Sequence, residues 1–467
     1  MKDLIALLQS HRYLATTLTC VLAIFVLNRL YFAEEYTSSG HSDYLPPTNP
    51  PGHQLHNDGH RVHLLIPANR ADYRLCRTLA STLVNRYPSP TLINWEQQPG
   101  DASMNGYDMT TGKNWGVLQF LRSLPSEADQ DLVIMVDAYD VIFQLPLDVV
   151  LQRYEAINKQ ATDRLIRQHG EEQVLRYGLN QTIIMGAEKY CWPLNHKHPA
   201  CWAVPASPLP PDVYGSRTDR GNGEKSRPRW LNSGTIMGPV GDLRKLYEHA
   251  HMLWTAYDTD GGDQDYFSNI YGRQELSRQQ LRGSKEWIFG FGKTYKEKSL
   301  IWPHMETQHV DYHLGVDLSS SLFQMMNGAI GDVSSVVHSA SAEVEAKDRQ
   351  HRTAGVYGAP FPFPDDLLQS RIPNGGQING QPDITWRDVS LFTNFYARCI
   401  PAVLHYNGDV KSSVDKSWRA QWWQGRGREM VRLRTSEPRF RINTDANRTL
   451  QWNEICGTFE NRLLRNS

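Results

Sequence analysis

Two apolar runs of the sequence end in residues whose side chains are common ligands of divalent cations. The run DLVIMVD at 131–137 leads into Asp137 and Asp140, and the run VLHYNG at 403–408 contains His405. Because residues three apart in a strand point to opposite faces, the two carboxylates converge only if the strand ends at Asp137 and the chain turns. We therefore predict that these residues form a metal site. The alternative is that the aspartates cap and bond local backbone and that His405 is structural.

Two further polar segments have the composition of a cleft wall. Residues 230–238, WLNSGTIMG, place Asn232 before an apolar strand, next to a glycine that permits close backbone approach. Residues 260–267, DGGDQDYF, form a glycine-rich turn into a helix and contain Asp263 and Asp265. Either carboxylate is a candidate general base or a group that orients an acceptor. The alternative is an acidic loop that only caps the helix.

The elements that must position these side chains alternate between strands and helices. We predict strands over 62–68, 91–95 and 131–137, one helix from about residue 72 and another over 114–124. Apolar strands between amphipathic helices are typical of an α/β fold with a mostly parallel sheet covered on both faces. The carboxyl ends of such strands form the ligand-binding edge. No Walker motif and no GxGxxG is present, which argues against an ATPase or a simple dinucleotide-binding protein.

The beginning of the chain predicts membrane attachment. Residues 13–33 are almost without charge over the length needed to cross a bilayer, and they follow a short tail, residues 1–12. Residues 34–60 are polar and proline-rich, which is typical of a flexible stem. We predict a type II signal anchor, with a cleaved signal peptide or a buried helix as alternatives. A large domain follows over 61–460, and its Gly- and Pro-rich residues 341–395 are a predicted insertion.

Composition and glycosylation signals agree with a domain in the secretory lumen. The 467 residues contain 49 Lys and Arg against 50 Asp and Glu, and the net charge of −1 argues against a nucleic-acid-binding protein. The tripeptides Asn180-Gln-Thr and Asn447-Arg-Thr are N-glycosylation sequons.

The cysteines predict disulfides of the kind found in secreted proteins. Cys191 and Cys201 are close enough in sequence for a local bridge, and Cys399 with Cys456 is a predicted second bridge. Cys76 lies on a predicted helix and is expected to be a buried free thiol. The alternative is that all of them are reduced.

Six sequence blocks occur in an order that resembles one enzyme family. They are VDAYDVIF at 136–143, GAEKYCWP at 186–193, WLNSGTIMG at 230–238, GDQDYF at 262–267, LFQMMNGA at 322–329 and VLHYNG at 403–408. Over residues 62–420 this order resembles the glycosyltransferase domain of the procollagen lysyl hydroxylase/glycosyltransferase family and related GT-A-type glycosyltransferases. The resemblance implies a GT-A-like, Rossmann-type sheet, with Mn²⁺ as cofactor and a UDP-sugar as donor substrate.

The resemblance also implies roles for single residues on the donor side. Asp137, Asp140 and His405 match the family's ligands of Mn²⁺. Tyr139 matches an aromatic residue that contacts the nucleoside, and we group Asn232 with the residues that bind the donor.

The segment after His405 matches the end of the family's histidine motif. Asn407 and Gly408 match its last two positions, beside the donor diphosphate, and we place Asn407 in the catalytic set. Lys411 follows at a similar offset and is expected to pair with phosphate. Asp263 matches one acid of an aspartate run on the acceptor side.

Two departures from the family's pattern leave the acceptor open. Tyr406 replaces the first glycine of the histidine motif, and the acid run is reduced to Asp263-Gln264-Asp265. We predict a transferase that moves glucose or galactose from a UDP-sugar to a hydroxyl of a protein or glycan acceptor, at the Golgi or endoplasmic reticulum membrane. One alternative is a metal-dependent hydrolase of nucleotide sugars. Another, which Tyr406 keeps open, is a non-catalytic sugar-binding protein on the same fold.

Overall fold

A computed structural model describes the chain from residue 60 onward. The described residues are 60–101, 104, 108–193, 196–221, 223–256, 262–282, 311–373 and 384–464. All of them belong to the second of two units, Pro47–Ser467. The predicted tail, anchor and nearly all of the stem lie outside the described residues. Within the described ranges, no helix combines the length and the apolar character that crossing a bilayer requires.

Strands and helices alternate in the first half of the described chain, as the apolar periodicity predicts. The first helix begins after Asp72, whose side chain accepts a hydrogen bond from the backbone N–H of Arg74 at 2.7 Å. The elements in chain order are β1 (Val62–Pro67), α1 (Tyr73–Val84), β2 (Pro90–Ile93), α2 (Met109–Ser123), β3 (Leu132–Val136), β4 (Val141–Phe143), α3 (Leu147–His169), α4 (Glu171–Tyr177), β5 (Ile183–Glu188) and α5 (Pro199–Trp202).

The second half continues this alternation with shorter elements. The predicted insertion at 341–395 contains three helices and one strand, and its residues 374–383 lie outside the described ranges. The elements are β6 (Trp230–Pro239), α6 (Val240–Ala256), α7 (Gly262–Leu281), β7 (Leu314–Val316), β8 (Phe323–Met325), β9 (Val333–Val337), α8 (Ser341–His351), α9 (Thr353–Tyr357), α10 (Asp365–Gln369), β10 (Ser390–Asn394), β11 (Val403–His405), α11 (Val414–Arg419), α12 (Gly427–Thr435), β12 (Ile442–Thr444), β13 (Thr449–Leu450), α13 (Trp452–Cys456) and α14 (Glu460–Leu463).

One mixed, mostly parallel sheet organises the fold, which confirms the predicted α/β class. Its eleven strands have the order β13-β12-β2-β1-β3-β6-β5-β8-β11-β4, with β7 beside β5, and β9 and β10 form a separate antiparallel pair. Strands β4, β6 and β13 run antiparallel to their neighbours, and the other pairs are parallel. The carboxyl ends of β3, β5, β8 and β11 therefore lie at the same edge of the sheet, where β6 begins.

Helices cover both faces of this sheet. Along β1, Leu64 packs into a core that includes Leu79 of α1, whereas the next residue, Leu65, packs into a second core with Leu118 of α2 and Leu246 of α6. This alternation follows from the period of two in a strand. The result is a three-layer arrangement, as the nearly continuous apolar strands predict.

The disulfides agree with the sequence prediction only in part. Cys191 and Cys201 are bonded, as predicted, but Cys456 pairs with Cys76 rather than with Cys399, which is a buried free thiol. The predicted Cys399–Cys456 bridge is therefore wrong, and so is the prediction that Cys76 is a free thiol. The reason is the position of α1, which packs against α13 and brings Cys76 within 5.5 Å of Cys456 between Cα atoms.

Candidate metal site at the carboxyl edge of the sheet

The strand directions bring the three predicted metal ligands together. Asp137 follows β3 directly, and its backbone N–H donates to the carbonyl of Gly234 at 2.8 Å. Asp140 precedes β4, which pairs with β11 in a register that places Val141 opposite His405. The turn from 137 to 140 therefore lies beside the end of β11, and the chain turns where β3 ends, as the two carboxylates require.

The ligand atoms of Asp137, Asp140 and His405 all lie within 4.8 Å of one another. Nε2 of His405 is 3.6 Å from Oδ2 of Asp137 and 3.4 Å from Oδ1 of Asp140. His405 is only 2% exposed, whereas the side chain of Asp137 keeps 31% of its surface accessible. The site is thus closed on the side of the histidine and open on the side of Asp137.

The charges of this cluster depend on one another. Burial acts to raise the pKa of Asp140, but His405 and Lys411 outweigh it and hold that pKa well below its ordinary value. Burial acts to lower the pKa of His405, but Asp140 and Asp137 outweigh it, so the pKa lies above its ordinary value. Both shifts have one cause: two carboxylates that are close together in a mostly buried site are stabilised by a positively charged neighbour.

A second set of contacts orients His405. Its Nδ1 lies 3.1 Å from Oδ1 of Asn232, and the same oxygen accepts a hydrogen bond from the backbone N–H of Gly234 at 3.0 Å. Since the N–H of Gly234 requires an oxygen there, Nδ1 of His405 is the donor, and Nε2 is the ring nitrogen that faces the carboxylates. Nε2 makes no hydrogen bond within the described residues. A cation between the two carboxylates would satisfy it.

Gly234 is required by close approach of its backbone to the cluster. A Cβ atom at this position would lie 2.2 Å from Cε1 of His405 and 2.6 Å from Oδ2 of Asp137. Any side chain there would displace one of the two ligands. The sequence prediction of close backbone approach in this segment is therefore confirmed.

A buried carboxyl, Glu188, joins two of the predicted site residues. It ends β5, and its Oε1 accepts hydrogen bonds from the side-chain amides of Asn232 and of Asn407, the latter at 2.6 Å. Burial raises the pKa of Glu188 to about 7, although these two amides act in the opposite direction. Both asparagines therefore brace the site through Glu188 in this structure.

A lysine that the sequence prediction missed lies on the other side of the cluster. Nζ of Lys113, from α2, is 3.0 Å from Oδ1 of Asp137 and 2.5 Å from Oδ2 of Asp263. The two carboxylates raise the pKa of Lys113 above its ordinary value against the effect of burial. Asp263 is thus joined to the cluster by an ion pair, whereas Asp265 is buried two residues further along α7.

The loop after β11 adds a positive charge to the cluster. Nζ of Lys411 is 3.0 Å from Oδ2 of Asp140, while 64% of its side chain is exposed. Gly408 has φ of +63°, and a Cβ there would lie 2.7 Å from the side-chain nitrogen of Asn327, so only glycine fits. Tyr406 is fully buried in the core below.

Tyr139 lies in the turn between the two aspartates. Its ring is half-buried, its hydroxyl donates to Oδ1 of Asn69 at 3.2 Å, and the guanidinium of Arg74 lies 5.1 Å from the ring centroid. One face of the turn therefore presents an aromatic ring beside a positive charge.

Comparison of the chain with protein-family models finds no match, and comparison with curated proteins finds none. The geometry of the carboxyl edge and the sequence blocks that meet there therefore carry the functional proposal.

Two of the residues at this site were absent from the predicted set, for different reasons. Glu188 had the same signal as Asp137, since it is a polar residue at the carboxyl end of a buried strand. Lys113 had no such signal, because a lysine on a helix is usually solvated and only the packing of α2 turns this one inward.

Proposed function

We propose that this protein is a divalent-cation-dependent glycosyltransferase of GT-A-like architecture. It transfers a hexose, with glucose or galactose favoured by the family resemblance, from a UDP-sugar to a hydroxyl of a protein or glycan acceptor. The observation that carries the proposal is the convergence of Asp137, Asp140 and His405 at the carboxyl edge of the sheet.

The donor set fits a cation such as Mn²⁺. Two carboxylates and one imidazole are the ligand types that intermediate divalent cations accept, and the buried Nε2 of His405 makes no hydrogen bond within the described part of the chain. Asp137, Asp140 and His405 would hold the ion. When bound, the cation would neutralise charge on the donor diphosphate as the sugar–phosphate bond breaks.

The remaining residues divide between the donor and the acceptor. Lys411 is exposed enough to leave Asp140 and pair with a phosphate, and Tyr139 offers a ring to the nucleoside. Lys113 holds Asp263 against the cluster, so we assign Asp263 the orientation of the acceptor hydroxyl, with Asp265 as the alternative.

The proposed cellular place follows from the sequence of the first 60 residues. A single-pass type II membrane protein would hold the sheet domain in the lumen of the Golgi or endoplasmic reticulum. The bonded pair Cys76–Cys456 supports an oxidising compartment.

The test is release of UDP from a panel of UDP-sugars, with and without Mn²⁺. We expect release from one sugar to require Mn²⁺ and to be lost in Asp140→Asn, whereas Asp163→Asn, on α3 with 44% of its side chain exposed, retains it. Addition of acceptor extracts should accelerate release, because water is the poorer acceptor; equal rates would favour a hydrolase. No release and no Mn²⁺-dependent nucleotide binding would contradict the proposal.

A further inference from the structure

We propose that Arg77 is a positioning residue that sets the geometry of the Asp137–Asp140 turn, so that its loss weakens cation binding. This inference rests on the proposed metal site, and it assigns to helix α1 a part in that site. None of the sequence blocks that resemble the glycosyltransferase family includes Arg77.

Side chains on one face of α1 form hydrogen bonds with the backbone of the segment that contains Asp140. Nη2 of Arg77 donates to the carbonyl of Tyr139 at 2.8 Å, and Oγ1 of Thr78 donates to the carbonyl of Val141 at 2.8 Å. One turn further on, Ser81 accepts a hydrogen bond from the backbone N–H of Phe143 at 3.1 Å. These contacts lie on both sides of Asp140 and restrict the path of the chain through it.

Arg77 differs from the other residues of this face because it reaches a third segment. Its Nη1 donates to Oδ1 of Asp415 at 2.6 Å, in α11, which directly follows the turn that contains Lys411. Lys411 in turn contacts Asp140. A single guanidinium therefore connects the turn before Asp140 to α11, the helix that follows the loop containing Lys411.

The burial of Arg77 indicates that this arrangement is specific. The residue is 1% exposed, whereas the side chain of its partner Asp415 is 43% exposed. A buried guanidinium costs free energy that its hydrogen bonds must offset. Nη1 bonds Asp415 and Nη2 bonds the carbonyl of Tyr139, whereas Nε makes no hydrogen bond among the described residues, so these two contacts alone hold the group in place. The planar fork fixes two directions at once, which a lysine cannot do.

Cation affinity reports on this role directly. A carboxylate that shifts by a fraction of an ångström no longer matches the coordination distances, and loss of a group that orients a ligand lowers metal affinity by about 10- to 100-fold. We expect Arg77→Met to raise the Kd for Mn²⁺ by that factor. Arg77→Lys, which keeps one positively charged donor nitrogen in place of the two terminal nitrogens, should give a smaller increase in the Kd.

The experiment is a titration of the full-length protein with Mn²⁺ alone, in which electron paramagnetic resonance counts the free ion. Asp415→Ala is the second variant, because it breaks the same contact by removing a side chain that is 43% exposed and leaves the buried residue Arg77 in place. Arg278→Met is the matched control: it removes a buried arginine of α7 that bonds Asp311 and Glu275. We expect this control to lower thermal stability and to leave the Kd unchanged.

Two outcomes overturn the inference and differ from each other. If the wild-type protein binds Mn²⁺ and the Arg77 and Asp415 variants bind it equally well, the metal site stands and the positioning role is wrong. If the wild-type protein does not bind Mn²⁺, the proposed metal site is wrong, and the inference fails with it. An increase in Kd for Arg278→Met equal to that for Arg77→Met would also contradict a specific role.

Discussion

Nδ1 of His405 lies 3.1 Å from Oδ1 of Asn232, and this contact directs the opposite nitrogen of the ring between Asp137 and Asp140. Asn232 thus decides which nitrogen of the histidine is available for a cation. Its other amide atom bonds Glu188, so the side chain has little freedom to turn. Asn232, a residue predicted to bind the donor, contacts and orients His405 in the structure.

We predict that Asn232→Ala raises the Kd for Mn²⁺ by about 10- to 100-fold, because His405 loses the acceptor that sets its tautomer and orientation. Isothermal titration calorimetry measures this change. Asn394→Ala is a suitable control, since Asn394 is also buried and bonds Gln324 and the backbone of Ala397. An unchanged Kd in Asn232→Ala would show that the ring is held by packing alone.

The contact of Lys113 with two carboxylates predicts that replacement of this lysine strongly lowers the stability of the protein. Lys113→Met leaves Asp137 and Asp263 without their shared cation, and we expect a loss of about 3–5 kcal/mol in the free energy of unfolding. The double variant Lys113→Met/Asp263→Asn should recover part of it, because one buried charge is then absent. Urea unfolding of Lys113→Met, Asp263→Asn, the double variant and the wild type forms a double-mutant cycle. Additive losses would mean that Lys113 and Asp263 are not coupled.

Glu188 predicts a dependence of stability on pH. Burial raises its pKa to about 7, above the ordinary value of 4.5, so the folded state binds the proton more tightly than the unfolded state. The stabilising contribution is complete below about pH 4.5 and is lost as the pH rises through about 7. Over this range the free energy of unfolding of the metal-free wild-type protein should fall by up to about 3 kcal/mol relative to that of Glu188→Gln.

The measurement is the free energy of unfolding of both proteins at pH 5 and pH 8 in EDTA. Comparison with Glu188→Gln removes the contribution of the other titrating groups, because glutamine can still accept from Asn232 and Asn407. Equal changes in the two proteins would contradict the raised pKa of Glu188.

The disulfides predict a defined peptide map. Digestion without reductant should yield one linked pair of peptides that contains Cys76 and Cys456 and another that contains Cys191 and Cys201, with Cys399 alkylated only after unfolding. Removal of the first bridge by Cys76→Ala/Cys456→Ala should cost about 2–5 kcal/mol, since it connects α1 to α13 across the chain. A peptide that links Cys399 to Cys456 would overturn this pairing.

The two sequons differ in their surroundings. Asn447 is exposed at the hairpin turn between β12 and β13, and Arg448 and Thr449 are exposed with it. Asn180 is half-buried, and its Oδ1 accepts hydrogen bonds from Thr162 and from the backbone N–H of Gln181. Attachment of a glycan is therefore compatible with the fold at Asn447 and competes with it at Asn180.

We expect one N-glycan on the protein expressed in eukaryotic cells. Treatment with an N-glycosidase should increase its electrophoretic mobility, Asn447→Gln should abolish that change, and Asn180→Gln should not. The absence of any change in the wild-type protein would count against the proposed luminal orientation.

Local sequence determined the elements and most of the residues of the candidate metal site. The apolar period predicted β1 and β3, the cap at Asp72 agrees with the start of α1, and polar residues at strand ends located Asp137, Asp140 and His405. These features are short-range, because strand formation, capping and the change from apolar to polar at a strand end involve residues close together in sequence.

Tertiary structure alone decided which distant residues meet. Three contacts depend on how helices pack, which the apolar period of a single helix does not encode. Packing of α2 places Lys113 beside Asp137, and packing of α1 places Arg77 against the carbonyl of Tyr139. Packing of α1 against α13 brings Cys76 to Cys456. The contact of Asn232 with His405 depends on β6. This strand is antiparallel to its neighbours, so its first residues lie at the edge of the sheet where β3 and β11 end. Contacts between segments far apart in sequence follow from strand order and direction, and these are fixed only when the whole sheet assembles.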